Sequence, residues 1–122
     1  MDEVKKSAQE DKHAEAGESL EGVDRRLRDP LSDELFEAIL LLKDREECYR
    51  FFQDIATISE IKALAQRLEV AKLLEKNVTY TTIAHTTGAS TATISRVKRC
   101  LYFGADGYQL ILKRLAKKEK VK

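Results

Sequence analysis

Between Tyr80 and Val97 the chain reads YTTIAHTTGASTATISRV, and few folds accommodate that pattern. Gly88 can take the positive φ that a tight corner between two helices requires, because it has no Cβ to clash. Ala84, four residues earlier, is small enough to let the two helices approach. Ile83, Ala89, Ile94 and Val97 fall where such a unit needs apolar contacts. Together these positions spell a helix-turn-helix at about residues 79–102. In a DNA-reading unit of this kind the second helix lies in the major groove.

The faces of that second helix follow from its apolar positions. If Ile94, Val97 and Leu101 point inward, then Thr91, Ala92, Thr93, Ser95, Arg96 and Arg99 lie on the other faces. The N-terminal half of such a helix reaches base edges. Arg96 suits a bidentate contact with guanine, while the Thr93 and Ser95 hydroxyls and the Ala92 methyl offer softer contacts. Lys98 and Arg99 are placed for phosphates, which the helix N-terminus also favours. From Ala89 through Ala105 the chain carries cations and no carboxylate, whereas a surface shaped only for solubility mixes signs. The bland alternative is an ordinary helical hairpin with a threonine-rich surface.

The net charge of +1 conceals the same asymmetry. Residues 1–30 carry −3, residues 31–75 carry −4, and residues 76–122 carry +8. A basic third on an acidic chain fits one face meeting a polyanion, although Lys117 to Lys122 can equally be a solvated, helix-ending tail.

Upstream, residues 1–30 contain no aromatic residue and few large apolar ones, so they read as a mobile charged N-terminal arm closed by Pro30. Residues 31–122 then form one domain with helical spacing throughout. Ser32 is the expected cap of a first helix with Leu35, Phe36, Ile39, Leu40 and Leu42 on its apolar stripe. Asp44 and Glu47 start a second, with Tyr49, Phe51, Phe52 and Ile55 on its buried face. Thr57 and Glu60 start a long third helix to about Lys76, apolar along Ile61, Leu64, Ala65, Leu68, Ala71 and Leu74 and again at Ala63, Val70 and Leu73. A helix apolar on two sides touches more than one neighbour, and in so small a chain the second neighbour can be another subunit. Thr79 caps a fourth helix ending at Gly88. Ser90 or Thr91 opens a fifth that ends at Gly104, and Asp106 with Gln109 caps a sixth. Strand alternation is absent, so the expected class is all-α.

Cys48 and Cys100 share no metal-type spacing with each other or with His13 and His85, and both are expected to be buried thiols. The longest apolar run, Ala38 to Leu42, is far short of the roughly 20 residues of a membrane span. No secretory leader is visible in the first thirty residues. These features suit a cytoplasmic protein without metal or cofactor. No nucleophile elbow, phosphate-binding loop or Cys–His pair suggests an enzyme. Arg25, Arg26 and Arg28 before the fold can reach DNA, or can form a solvated linker neutralised by Glu21, Asp24 and Asp29.

GASTATISRVKRCL, with the preceding TISEIKALAQRLEVAKLL, resembles the Trp-repressor superfamily over about residues 32–116, and within it the YerC/YecD branch. The resemblance implies a six-helix protomer in an intertwined homodimer, whose first, second, third and sixth helices build a shared core. It further implies a bacterial regulator that contacts operator DNA through the fourth and fifth helices. Its recognition positions fall on Thr91, Ala92, Thr93, Ser95 and Arg96. Thr79 matches the capping serine, and the family's basic operator-contacting positions fall on Thr81 and Ala84. Thr79 and Thr81 are thus expected phosphate contacts. The corepressor-clamping arginine of the recognition helix corresponds to Arg96 or its neighbourhood, and that of the third helix to Arg67 only with a one-residue gap placed after Arg67. These two are the candidate effector pocket. Where tryptophan-binding members have glycine followed by serine, this chain has Val97 and Lys98, which crowd and recharge the space beside an indole ring.

The reading that follows is a sequence-specific transcriptional repressor binding a palindromic site in double-stranded DNA as a homodimer. A helical dimerisation or adaptor module without DNA binding is one alternative. A regulator gated by an effector other than tryptophan is the other.

Overall fold

A helix leaves its first amides without partners, and a side chain just ahead of it can accept from them. In the computed structural model, which describes residues 20–121, such a side chain heads each of the first five helices. Among the described residues there are six α-helices and no strand, in agreement with the expected all-α class. Residues 1–19 of the expected arm lie outside the described residues. In its remainder, Arg25–Leu27 forms one 3-10 turn. There Asp24 accepts from the Arg26 backbone at 2.9 Å and pairs with its guanidinium at 2.6 Å, so its carboxyl titrates below the usual range.

Helix α1 spans Pro30–Leu40 and is capped by Asp29, not by Ser32. The Asp29 carboxylate accepts from the Ser32 amide at 2.8 Å and from its hydroxyl at 3.1 Å. Proline, having no N–H to satisfy and a helical φ, fits the first position of a helix, and this moves the start upstream of Ser32. Helix α2 spans Arg45–Ile55 behind Asp44, which accepts from the Glu47 amide at 2.9 Å. Helix α3, Ile58–Glu75, opens with a full capping box. Thr57 accepts from Glu60 N–H at 3.1 Å, and Glu60 accepts from Thr57 N–H at 2.8 Å. Those bonds hold the Glu60 carboxyl below its ordinary range.

The end of α3 is equally defined. Asn77 takes φ 61°, its N–H bonds the Leu74 carbonyl at 3.0 Å, and Val78 N–H bonds the Leu73 carbonyl at 3.1 Å. This left-handed stop satisfies the carbonyls the helix leaves open and sets Val78 with Leu73 against the core. Helices α4 (Tyr80–Thr87), α5 (Thr91–Phe103) and α6 (Gly107–Val121) follow. The expected cap of α6 is not formed. Asp106 sits at φ 66°, away from the extended backbone of an N-cap, and the Gln109 amide donates instead to the Leu101 carbonyl at 3.0 Å, in the open last turn of α5.

The buried core consists of Val70, Ala71 and Leu74 from α3, Ile83 from α4, Ala89 from the turn, Ile94, Val97 and Leu101 from α5, and Leu112 from α6. Helix α3 packs against α4, α5 and α6, and α5 packs against α4 and α6. Nothing on α1 or α2 is buried. Of their expected apolar faces, Leu35, Ile39, Leu42, Phe51 and Phe52 are half-buried, whereas Phe36, Leu40, Tyr49 and Ile55 are exposed. The expected double-sidedness of α3 is also resolved differently. Its C-terminal half is buried, while Ile58, Leu64 and Ala65 nearer its start are exposed, so the division runs along the helix as well as around it.

Both cysteines are exposed, contrary to expectation. Cys48 stands on the uncovered α2. Cys100 precedes the buried Leu101, and one residue along a helix is a turn of about 100° around its axis. No helix among the described residues is long and apolar enough to cross a membrane.

Candidate nucleic-acid interface

Helices α4 and α5 start in the same way. Thr79 accepts from the Thr82 amide at 3.3 Å and gives its hydroxyl proton to Thr82 Oγ1 at 3.0 Å. Ser90 accepts from the Thr93 amide at 3.1 Å and gives its hydroxyl proton to Thr93 Oγ1 at 3.0 Å. The turn between them is built from Thr87 and Gly88. Gly88 takes φ 75° and its N–H bonds the Ala84 carbonyl at 2.9 Å. The Thr87 hydroxyl donates to the Ile83 carbonyl at 2.7 Å and accepts from Ala89 N–H at 3.1 Å. From α3, the Gln66 amide donates to the Thr87 carbonyl at 3.0 Å, tying the corner to the central helix. The Thr87 hydroxyl and carbonyl and the Gly88 and Ala89 amides are thereby used internally, and Ile83, Ala89, Ile94 and Val97 are buried beneath the corner, as the pattern requires.

With Ile94, Val97 and Leu101 inward, the outward ridge of α5 at about 3.6 residues per turn is Ala92, Ser95, Arg96 and Arg99, all exposed. Thr91 and Lys98 stand on the flank toward α4, also exposed. Thr93 is on the opposite flank, half-buried, with its oxygen engaged by Ser90. Thr81 is exposed on α4, while the Thr79 hydroxyl is spent on the cap. The base-contact candidates are thus gathered on one helix, but Thr93 and Thr79 are held by capping bonds. At the far end, a Cβ on Gly104 would run into the Cys100 carbonyl, so only glycine can end α5 in this way.

Two tyrosines that the pattern of the sequence does not mark belong to this region. The Lys98 ammonium sits 5.4 Å from the ring centroid of Tyr80, the first residue of α4. The half-buried Tyr108 of α6 lies within electrostatic reach of Cys100, Arg67 and Arg96. Burial raises its phenol and Cys100 adds to the rise, while the two arginine charges pull the other way. The charges of Arg67 on α3 and Arg96 on α5, the effector-pocket candidates, thus both act on the Tyr108 phenol, while Arg96 itself stands exposed on the outward ridge. Val97 is 2 % exposed, so its side chain is part of the core. Both tyrosine pairings join residues far apart in sequence, and periodicity carries no sign of them.

Comparison with known proteins agrees with this geometry. The Trp repressor protein family matches residues 31–116. The uncharacterized protein YerC of Bacillus subtilis (strain 168) is 58% identical over 94 residues, which cover 77% of this chain and 90% of YerC. A crystal structure from Staphylococcus aureus, described as a candidate Trp repressor, superposes with a TM-score of 0.73 at 55% identity, covering 75% of this chain and 92% of that one. A TrpR-like protein from Eubacterium eligens ATCC 27750 gives a TM-score of 0.74 at 53% identity, covering 76% and 96%. With the helix-turn-helix in place and the match spanning α1 to α6, the chain belongs to the Trp repressor family, whose members are DNA-binding regulators and not enzymes.

Proposed function

We propose that this protein is a sequence-specific transcriptional repressor that binds a palindromic DNA site as a homodimer. The observation that carries this reading is the exposed ridge of α5. It presents Ala92, Ser95, Arg96 and Arg99 on a helix that is buried behind, cationic, and free of carboxylates from Ala89 through Ala105. In this reading Thr91, Ala92, Thr93, Ser95 and Arg96 contact bases, and Arg96 is the strongest single determinant through guanine. Lys98, Arg99 and Thr81 contact phosphates, with Thr79 supporting them by fixing the start of α4.

Dimerisation is supported by the uncovered apolar residues of α1, α2 and early α3, among them Leu31, Phe36, Leu40, Tyr49, Ile55 and Ile58. Of these, Tyr49 and Ile58 line a groove of about 440 Å³ between α2 and α3, together with Phe52 and Ile61. A two-fold arrangement of copies would place two recognition helices about one DNA turn apart. A second reading is a regulator gated by a small-molecule effector other than tryptophan at Arg67 and Arg96, whose charges both act on the Tyr108 phenol. The buried Val97 argues against an indole ring as that effector.

Selection of bound duplexes from a random pool at about 0.15 M salt, where non-specific contacts are weakened, tests the proposal. The expected result is an inverted repeat with turn-spaced half-sites. No enriched motif from a folded protein would overturn it. Arg96→Ala should cost about 1–3 kcal/mol on the selected site and relax preference at one base position. Unchanged affinity and preference would remove Arg96 from base readout.

A further inference from the structure

A lysine on a helix surface ordinarily moves through many rotamers, and a phosphate contact must overcome that freedom. Lys98 is placed differently. Its ammonium lies 5.4 Å from the Tyr80 ring centroid, inside the about 6 Å range in which the electron-rich face of an aromatic ring attracts a cation. Tyr80 is the first residue of α4 and is itself 36% exposed. The pair therefore bridges the two helices of the motif on their open side, outside the core. It lies on the flank of α5 that carries the exposed Thr91. The ring can engage only one side of the ammonium, which leaves N–H donors free toward solvent. Lys98 has no partner among the described ion pairs, so no carboxylate of the described residues competes for it.

We infer that Tyr80 is a positioning residue for DNA binding. Its ring holds the Lys98 ammonium at the junction of α4 and α5, ready to receive a backbone phosphate before the duplex arrives. The inference rests on the DNA-binding reading given above and adds to it a residue that makes its contribution through another. Preorganisation of this kind lowers the ordering cost of binding without adding a base contact, so its effect is independent of DNA sequence.

The test is a mutant cycle read by affinity for a random-sequence duplex across a salt series, using the full chain and Tyr80→Phe, Tyr80→Leu, Lys98→Ala and the Tyr80→Leu/Lys98→Ala pair. Thermal unfolding midpoints establish that each variant is folded. Because Tyr80 is outside the buried core, they should be nearly unchanged. The wild type should bind with a salt-dependent affinity, and Lys98→Ala should reduce the salt slope by about one unit. Tyr80→Phe, which keeps the ring, should bind like the wild type. Tyr80→Leu should weaken binding about two- to fivefold, and should do nothing further once Lys98 is gone. If the Tyr80→Leu and Lys98→Ala losses multiply, the coupling is absent and the inference fails. If Tyr80→Phe loses as much as Tyr80→Leu, the hydroxyl and not the ring is responsible, and the inference fails again. A folded wild type with no salt-dependent binding would instead overturn the DNA-binding reading, and the role of Tyr80 with it.

Discussion

Helices α1 and α2 begin as well as α4 and α5 do, with Asp29 and Asp44 accepting the same kind of amide hydrogen bond as Thr79 and Ser90. What separates the two halves is burial. Leu101 of α5 is 1% exposed, whereas Leu40 of α1 is 76% exposed. One half buries Ile83, Ile94, Val97 and Leu101 against α3, and the other leaves Phe36, Leu40, Tyr49 and Ile55 exposed among the described residues. A capped helix gains about 1 kcal/mol from its cap, which does not stabilise a short helix in water without tertiary packing. The helix-turn-helix half is thus packed within one chain, and the proposed dimer would give the exposed faces of α1 and α2 a second surface.

The largest expected effect lies in the helix-turn-helix half. Leu101→Ala removes a fully buried side chain between α5 and its neighbours and should cost about 2–5 kcal/mol in denaturant unfolding. A loss below about 1 kcal/mol would mean that the core is looser than its burial indicates. The mirror experiment is Leu40→Ser on α1. If a second copy covers this face, the substitution should raise the dimer dissociation constant about tenfold or more, as measured by sedimentation, and leave the packing of α3 to α6 alone. An unchanged dissociation constant would remove Leu40 from the interface. A large loss of unfolding free energy in the dilute, dissociated protein would show that α1 is packed within its own chain.

The same contrast explains what could be read from the chain. The capping box at Thr57 and Glu60, the caps at Asp44, Thr79 and Ser90, and the glycine corner all involve partners within about four residues, where backbone geometry leaves few choices. The contacts under the corner were legible for the same reason, since two short helices joined by Gly88 have little room to vary. Asp29 and Ser32 are both good caps, and the presence of Pro30 between them decided the matter. For α1 and α2, periodicity shows that Leu40 and Tyr49 lie on an apolar face, but not whether the covering surface belongs to the same chain. Cys100 was misplaced by its neighbour: adjacency to Leu101 on a helix means a different face. The meeting of Tyr80 with Lys98 depends on how whole helices cross. No local pattern encodes that crossing.

The smallest expected effect is the one that separates the halves most sharply. Asp29→Ala and Thr79→Ala each delete a cap worth about 1 kcal/mol, so the local chemistry is matched. Helix α4 carries the buried Ile83, and its amides are released only when the core opens. Thr79→Ala should therefore lower global stability by about 1 kcal/mol and speed exchange of the slowest core amides to match. Helix α1 has no fully buried residue, so in dilute protein it is expected to open locally. There Asp29→Ala should speed exchange of the α1 amides about fivefold and leave the core amides unchanged. If, as proposed, a second copy covers Leu40 and Phe36 as concentration rises, the two caps should become equivalent, because opening α1 would then mean opening the assembly. Hydrogen exchange of the two variants at low and high protein concentration decides the question. If Asp29→Ala affects core amides equally at both, the two halves are one cooperative unit within a single chain and the contrast drawn from burial is wrong.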